Sequence, residues 1–399
     1  MSWKDDKNRW NELYTRAVTP FDEMRVSQRT PIIQINGSYE TSELRDVIKT
    51  DGTAEVTSVN SEFRLETKAT GDKALMASAS RGRYVPGYAA EAGIGARLPE
   101  TPTGDGVARW GYFDTVPSTQ DINDGAFFGV DTGGIFVAIY RNGTREMKTY
   151  REDWNLQPNY DIDPAAGNIY QIQFVYYGYG PVWFRIIDNQ TERVVAVHKH
   201  LSHGRPTFSN SNLQVSGQAW TDSTGDPFDL FLSGRQFAVL GTPVFKERVV
   251  SHLREEVTVG TAGYTPIMSF RRKEGRRAVP IAAHLFECMT NNDIAVQWRV
   301  GSTITRETNG ADLDWITPSD HDEDETAIEV NENADTIDME TGIKVDEDLV
   351  AGGAGPRPRE FAEDATVSDI PDEYIVTLCA KALDTEATID IIGKMVEER

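Results

Sequence analysis

Cysteine is nearly absent from these 399 residues: there are two, Cys288 and Cys379. Two thiols build no disulfide framework, and their wide separation offers no close-spaced metal site. Each falls in an apolar run that predicts a strand, so each reads as a small buried apolar group, with one bridge between them left open. Long hydrophobic runs are missing too. No stretch approaches the ~20 apolar residues of a spanning helix, and the first residues show no signal-peptide core. No membrane partner and no secretory leader are therefore expected. Positive charge is scarce, with 40 Lys and Arg against 63 Asp and Glu and a net charge of -23. Lysine is the scarcer cation, 12 against 28 arginines. Such a surface repels phosphate backbones and argues against nucleic acid as the main ligand. It suits a protein kept hydrated in strong salt, where the Debye length falls to roughly 3 Å at 1 M. A halophilic protein is the expectation, an acidic mesophilic one the plainer alternative. Also missing are a Walker loop, a dinucleotide fingerprint, HExxH and a nucleophile elbow, so no enzyme is expected. A glycosidase acid pair needs only proximity in space and leaves no trace of this kind.

What is present is strand-forming sequence. Hydrophobic residues make up 39% and aromatics 10%, enough for folded cores. Between Arg109 and Phe184 come Arg109-Trp110-Gly111-Tyr112-Phe113-Asp114, Ile135 to Arg141 and Tyr170 to Tyr177, each short and closed by Gly, Asn, Asp or Pro. Aromatic and β-branched residues suit a pleated surface, and those closers make turns. Strands without intervening helices predict an all-β chain of two antiparallel β-sandwich or jelly-roll domains. Residues 1–25 form a docking segment with a helix over 2–18, whose Trp3, Trp10 and Tyr14 would bury against a neighbour or a domain junction. Residues 26–248 form the large, lectin-like sandwich. Its strands include 31–35, 208–214 and 237–240, and the Gly-, Pro- and Ala-rich stretch 82–106 is read as a loop over its edge or top. Residues 249–399 form a smaller sandwich carrying an acidic insertion over 319–360.

Three groups of side chains are candidates for chemistry. His198, His200 and His203 form the one histidine cluster, and His198 and His200 share a strand face. Three neutral imidazoles can hold a transition metal, though no local carboxylate or thiol completes the site. The competing reading is a strand that ends in a polar loop. Asp320, Asp322 and Asp324 alternate like calcium ligands, but Glu325 and Asn331 stand where the loop wants Gly and Glu. Loose cation binding, or simple solvation, is what remains, and no other cofactor is expected. Among the aromatics, Trp154, Tyr177 and Tyr179 flank turns and are the candidates for stacking on sugar rings.

The order Arg-Trp-Gly-x-Phe-Asp, then Asp-Gly-x-Phe-Phe, then Asp153-Trp154-Asn155 and Gly178-Tyr179-Gly180 resembles a group of tailed-phage virion structural proteins. The later Pro280-Ile281, Val296 to Val300, Gly352-Gly353 and Thr377-Leu378-Cys379-Ala380 are similar in order as well, so the likeness spans roughly residues 30 to 398. With its acidity, the chain resembles a version from a haloarchaeal tailed virus. The resemblance implies a virion component without enzymatic activity, in the tail tip, baseplate or fibre, with a capsid vertex turret or decoration protein as the alternative. It implies partners in copies of the chain itself, as a trimer or higher homo-oligomer, and in other virion proteins. A glycan-binding module that reads a host-surface glycan is the second function class, and a polysaccharide-cleaving enzyme the third.

Overall fold

The structure is a computed structural model, describing residues 29–398 except 190–192, 203, 277–278, 307–311, 319–320, 322–323, 354–356, 361–369 and 371–373. The helix predicted over 2–18, with Trp3, Trp10 and Tyr14, lies outside the described residues, as do His203, Asp320 and Asp322. The described residues are all-β, apart from two short 3-10 turns at Arg151–Asp153 and Pro164–Ala166. Among the described residues no helix is long and apolar enough to cross a membrane.

The chain divides between Val244 and Phe245 into two units. The first contains β1 Arg29–Ile35, β2 Asp46–Asp51, β3 Glu55–Val59, β4 Glu62–Glu66, β5 Lys73–Ser78, β6 Ala89–Arg97, β7 Val107–Thr115 and β8 Ile122–Asp131. It continues with β9 Gly134–Arg141, β10 Thr144–Tyr150, β11 Asn168–Phe174, β12 Val182–Asp188, β13 Arg193–His200, β14 Val215–Trp220 and β15 Asp229–Leu240. One sheet has the order β13-β12-β11-β6-β15-β4-β3, with β1 also paired to β15; the other has the order β10-β9-β8-β7-β14-β5-β2.

Period-2 alternation decides which face each strand buries. On β7, Ala108, Trp110 and Tyr112 face the partner sheet and belong to the main core. There Trp110 meets Tyr170 of β11 at 5.0 Å, and Tyr112 stacks on Phe174 and Phe237 at 5.4 and 5.1 Å. Phe128 of β8 meets Phe184 of β12 edge-on at 5.5 Å. Rings in such offset and edge contacts add about 0.5–1.5 kcal/mol per pair beyond their burial.

Two segments depart from expectation. The stretch 82–106, predicted as a peripheral loop, contains β6 in the interior of the eight-stranded sheet, paired with β11 on one side and β15 on the other. Its glycines lower strand propensity, yet they serve packing. A Cβ on Gly93 would stand 3.2 Å from Gln236 Cγ, and one on Gly95 3.2 Å from Ser233 Cβ. Pairing on both edges supplies what propensity lacks. Residues 208–214, predicted as a strand, form a loop held by side chains. Tyr112 donates to Ser211 O at 2.7 Å and accepts from Leu213 N at 3.0 Å, while Arg81 donates to Asn212 O at 2.9 Å.

The second unit contains β16 Glu247–Val259, β17 Thr265–Arg272, β18 Ile281–Thr290, β19 Ile294–Val300, β20 Ile304–Thr305 and β21 Ile328–Asn331. The remaining strands are β22 Thr336–Ile337, β23 Ile343–Val350, β24 Arg357–Glu360, β25 Val376–Ala382 and β26 Ala387–Glu398. Sheets β16-β26-β18-β24 and β21-β17-β25-β19-β23 lie face to face, with a small β20-β22 pair beside them. A Cβ on Gly393 of β26 would fall 2.5 Å from Met268 Sδ and 2.9 Å from Phe270 Cζ of β17, so the two sheets approach closely there. Cys288 and Cys379 are buried free thiols in different sheets, and burial pushes both up to about 12.

The acidic stretch 319–360 is only partly an insertion. Its residues 343–350 are β23, an edge strand laddered to β19. Glu347 there accepts from Lys344 at 2.8 Å, Gln297 at 2.7 Å and Tyr264 at 2.5 Å, and these bonds, Lys344 foremost, hold its carboxyl at about 2. Charge along an exposed edge also discourages strand addition by another chain. Asp324, the described member of the aspartate trio, lies in an exposed turn.

Candidate functional site

The most developed site is on the outer face of the seven-stranded sheet, built by the residues of β7 that point away from the core. Ladder register sets Tyr150, Phe136, Gly129, Arg109 and Gln218 in one row across β10, β9, β8, β7 and β14. The adjacent row is Lys148, Ala138, Phe127, Gly111 and Ser216. Gly129 keeps the first row low: a Cβ there would meet Phe136 Cζ at 2.5 Å and Ala108 O at 2.8 Å. The ring of Phe136 therefore lies across the bare backbone of β8.

A cavity of about 190 Å³ opens on this face. The buried rings of Phe127 and Phe136 underlie it, the partly exposed Tyr140 and the cations Arg109, Arg145 and Lys148 stand in its walls, and Gly104 to Val107 with Asp131-Thr132 form a rim. At ~30 Å³ per water it holds about six waters, room for a single sugar ring. A second depression of about 430 Å³, lined by Arg145 to Lys148 and Tyr150 along β10, shares Arg145 and Lys148 with it.

The polar groups here are of two kinds. Asp131 receives Lys148, the Tyr150 hydroxyl at 3.2 Å and Gly133 N at 2.8 Å. Lys148 also lies 4.2 Å from the Phe136 ring centre and 4.7 Å from that of Tyr150. Asp105 receives Ser223 N and Oγ at 3.0 and 2.9 Å and Thr224 N at 3.1 Å, which ties the rim to the β14–β15 connection. Arg109 differs from these. Its guanidinium donates to Gln218 Oε1 at 2.6 Å and lies 5.1 Å from the Trp220 ring centre. Burial pushes it below the usual guanidinium range. Among the described residues no carboxylate lies within 4 Å of it.

The sequence-predicted residues fall elsewhere. Trp154 corrects the expectation of a sugar platform: it is 1% exposed, part of the main core, and its indole donates to Thr149 O at 3.2 Å. A flanking turn put it among surface candidates, but the turn folds inward, where Leu156 and Gln157 N donate to Val197 O of β13. Tyr177 and Tyr179 are 59% and 64% exposed, on the β11–β12 turn. Tyr177 has φ of +32° beside Gly178 at +81°, a strained tight turn. They do not line the cavity. Trp110, Tyr112 and Trp183 are buried.

His198 is buried against Phe184, ring centres 6.1 Å apart, and its Nδ1 accepts from Asn155 N at 3.3 Å. Among the described residues no group of three or more His, Cys, Asp or Glu is placed to hold a metal. Burial first, then the charge of His200, lowers His198 to about 4. The folded state thus favours neutral imidazole. This stability is present above the unfolded value near 6.5 and is lost as pH falls towards 4. Urea denaturation at pH 7 and 4.5 should show a loss of about 2 kcal/mol that His198→Gln removes.

Asp114 and Asp124 are a buried cross-strand acid pair, both pushed up by burial. Their oxygens are committed: Asp114 to Arg81 at 3.2 Å and to Asp124 N at 3.0 Å, Asp124 to Ser209 N at 2.8 Å. The pair anchors the 208–214 loop.

A groove of about 870 Å³ crosses the outer face of the other large sheet over Gly93 and Gly95. Its cations are matched. Arg97 pairs with Glu62 at 2.6 Å and covers Phe231 at 4.0 Å, and Arg29 pairs with Glu91 at 3.0 Å. That leaves it without a free aromatic face or an uncommitted charge.

No family model and no curated protein matches this chain, so the resemblance to tailed-phage virion proteins rests on the sequence motifs alone. Solved structures do match. A legume lectin-like domain from Entamoeba histolytica is 10% identical, with 53% of this chain and 98% of that one covered at a TM-score of 0.36. A protein of unknown function from Shewanella oneidensis MR-1 is 11% identical over 61% and 97%, at 0.37. A Lotus tetragonolobus seed lectin is 11% identical over 53% and 100%, at 0.34. Identities and TM-scores are both low, and no function passes to this chain on that basis.

Proposed function

We propose that the first unit is a glycan-binding module and that the Arg109 cavity is its site. The observation that carries this reading is a depression sized for one ring, in which the hydrogen-bond donors Arg109, Arg145 and Lys148 stand beside the partly exposed ring of Tyr140. Sugar rings present apolar C–H faces to aromatic surfaces and hydroxyls to polar groups, and Tyr140 with the surrounding donors offers one of each. The reaction class is binding, with no bond made or broken: the nearby buried acids serve as loop anchors.

Calorimetric titration of the full chain with a panel of oligosaccharides tests it. Gly129→Ala, whose added methyl must displace Phe136 or the β8 backbone, should weaken binding roughly tenfold. Tyr179→Ala, at the distant turn, should change it by no more than about twofold. A chain that binds no glycan in the panel, or one whose binding follows Tyr179 and ignores Gly129, overturns the assignment.

A further inference from the structure

Resting on that reading of the cavity, we infer that the glycan it takes is anionic, bearing a carboxylate or sulfate group that Arg109 receives. The chain as a whole carries a net charge of -23, so long-range attraction to an acidic polymer is not available to it. Recognition of such a ligand has to come from local cations whose charge is not already spent. Three cations line this cavity, and they differ in that respect. Lys148 is committed to Asp131. Arg145 is exposed at the mouth and makes no ion pair among the described residues.

Arg109 is the decisive group. A guanidinium carries five N–H donors in a fixed fork, and here one of them reaches Gln218. Arg109 is half-buried, and a partly desolvated cation gains from a counter-charge that offsets its lost hydration. The two carboxylates in the lining do not fill that role. Asp105 is held by Ser223 and Thr224, and Asp131 by Lys148, Tyr150 and Gly133. Asp121 and Asp131 attract the guanidinium from beyond ion-pair distance, and the cavity beside it leaves room for a counter-charge in direct contact. A planar anionic group there would take the two-pronged hydrogen bonds that guanidinium favours. The attached ring would rest against Tyr140. Arg145 would meet the ligand first and lengthen its stay near the mouth.

The experiment compares, on the intact chain, uronate-, sialate- and sulfate-bearing oligosaccharides with their carboxyl-reduced, desialylated or desulfated counterparts, at low and high salt. At least one anionic member should bind about tenfold tighter than its neutral counterpart, and more weakly as salt rises. Arg109→Gln should abolish that discrimination, and Arg109→Lys should restore part of it. Should Arg109→Gln fail to fold, Arg145→Gln and the wild-type ligand pairs still decide, with a slower association of the anionic member expected for Arg145→Gln. Equal affinity for charged and neutral members, with Gly129→Ala weakening both, overturns the anionic specificity while the glycan site stands. No binding to any member overturns the site and this inference together.

Discussion

Asp46→Ala is expected to cost the first unit about 3–5 kcal/mol. Asp46 opens β2 in the seven-stranded sheet, and Arg235 lies on β15 in the eight-stranded one. Their side chains form an ion pair between the layers, both 0% exposed. Arg235 also lies over the Phe63 ring at 5.3 Å, and Asp46 accepts from Ser42 N at 3.0 Å. Burial lowers the Arg235 pKa while Asp46 pulls it back up. Removing the carboxylate leaves a guanidinium desolvated and unmatched, which is the expensive outcome; the pair itself adds little over apolar residues of similar shape. Asp46→Ala combined with Arg235→Met should therefore recover most of the loss. Urea denaturation of the two variants and the parent gives the comparison. A loss below about 1 kcal/mol for Asp46→Ala would mean that water reaches the pair.

Trp154→Ala is expected to be comparably damaging, at about 3–5 kcal/mol, with no direct effect on sugar affinity. The indole is among the largest side chains fully enclosed in the chain, and it closes the end of the main core where the segment after Arg151–Asp153 folds back on β13. Alanine would leave a void and an unmatched Thr149 carbonyl. The folded fraction should bind the glycan as the parent does, because Trp154 does not line the cavity. If affinity falls while the denaturation midpoint holds, Trp154 is a ligand contact and its placement in the core is wrong.

None of the cavity's residues stood among the sequence candidates, although the face that each strand residue takes was legible. Alternation on Val107-Ala108-Arg109-Trp110 already put Arg109 on the face opposite Trp110, and an arginine between outward apolar residues is a visible oddity. Its importance was not legible, because Gln218 and Trp220 reach it from more than a hundred residues away. The stretch around Gly93 misled for the opposite reason. Its local signal was that of a loop, and only pairing on both edges makes it a strand. Turn-flanking position misplaced Trp154, since a turn says that the chain reverses and leaves open which side faces water.

The sequence alone determined that this is an acidic all-β chain, poor in cysteine, and which side chains of each strand share a face. Those properties follow from composition and from a period of two residues, both local. Tertiary structure alone decided that Phe136, Gly129, Arg109 and Gln218 stand in one row, and that a half-buried guanidinium faces a cavity whose two carboxylates are held by other groups. Strand order and register cause this: they are fixed by contacts between residues far apart in the chain, and a slip of one residue would turn every such side chain to the other face.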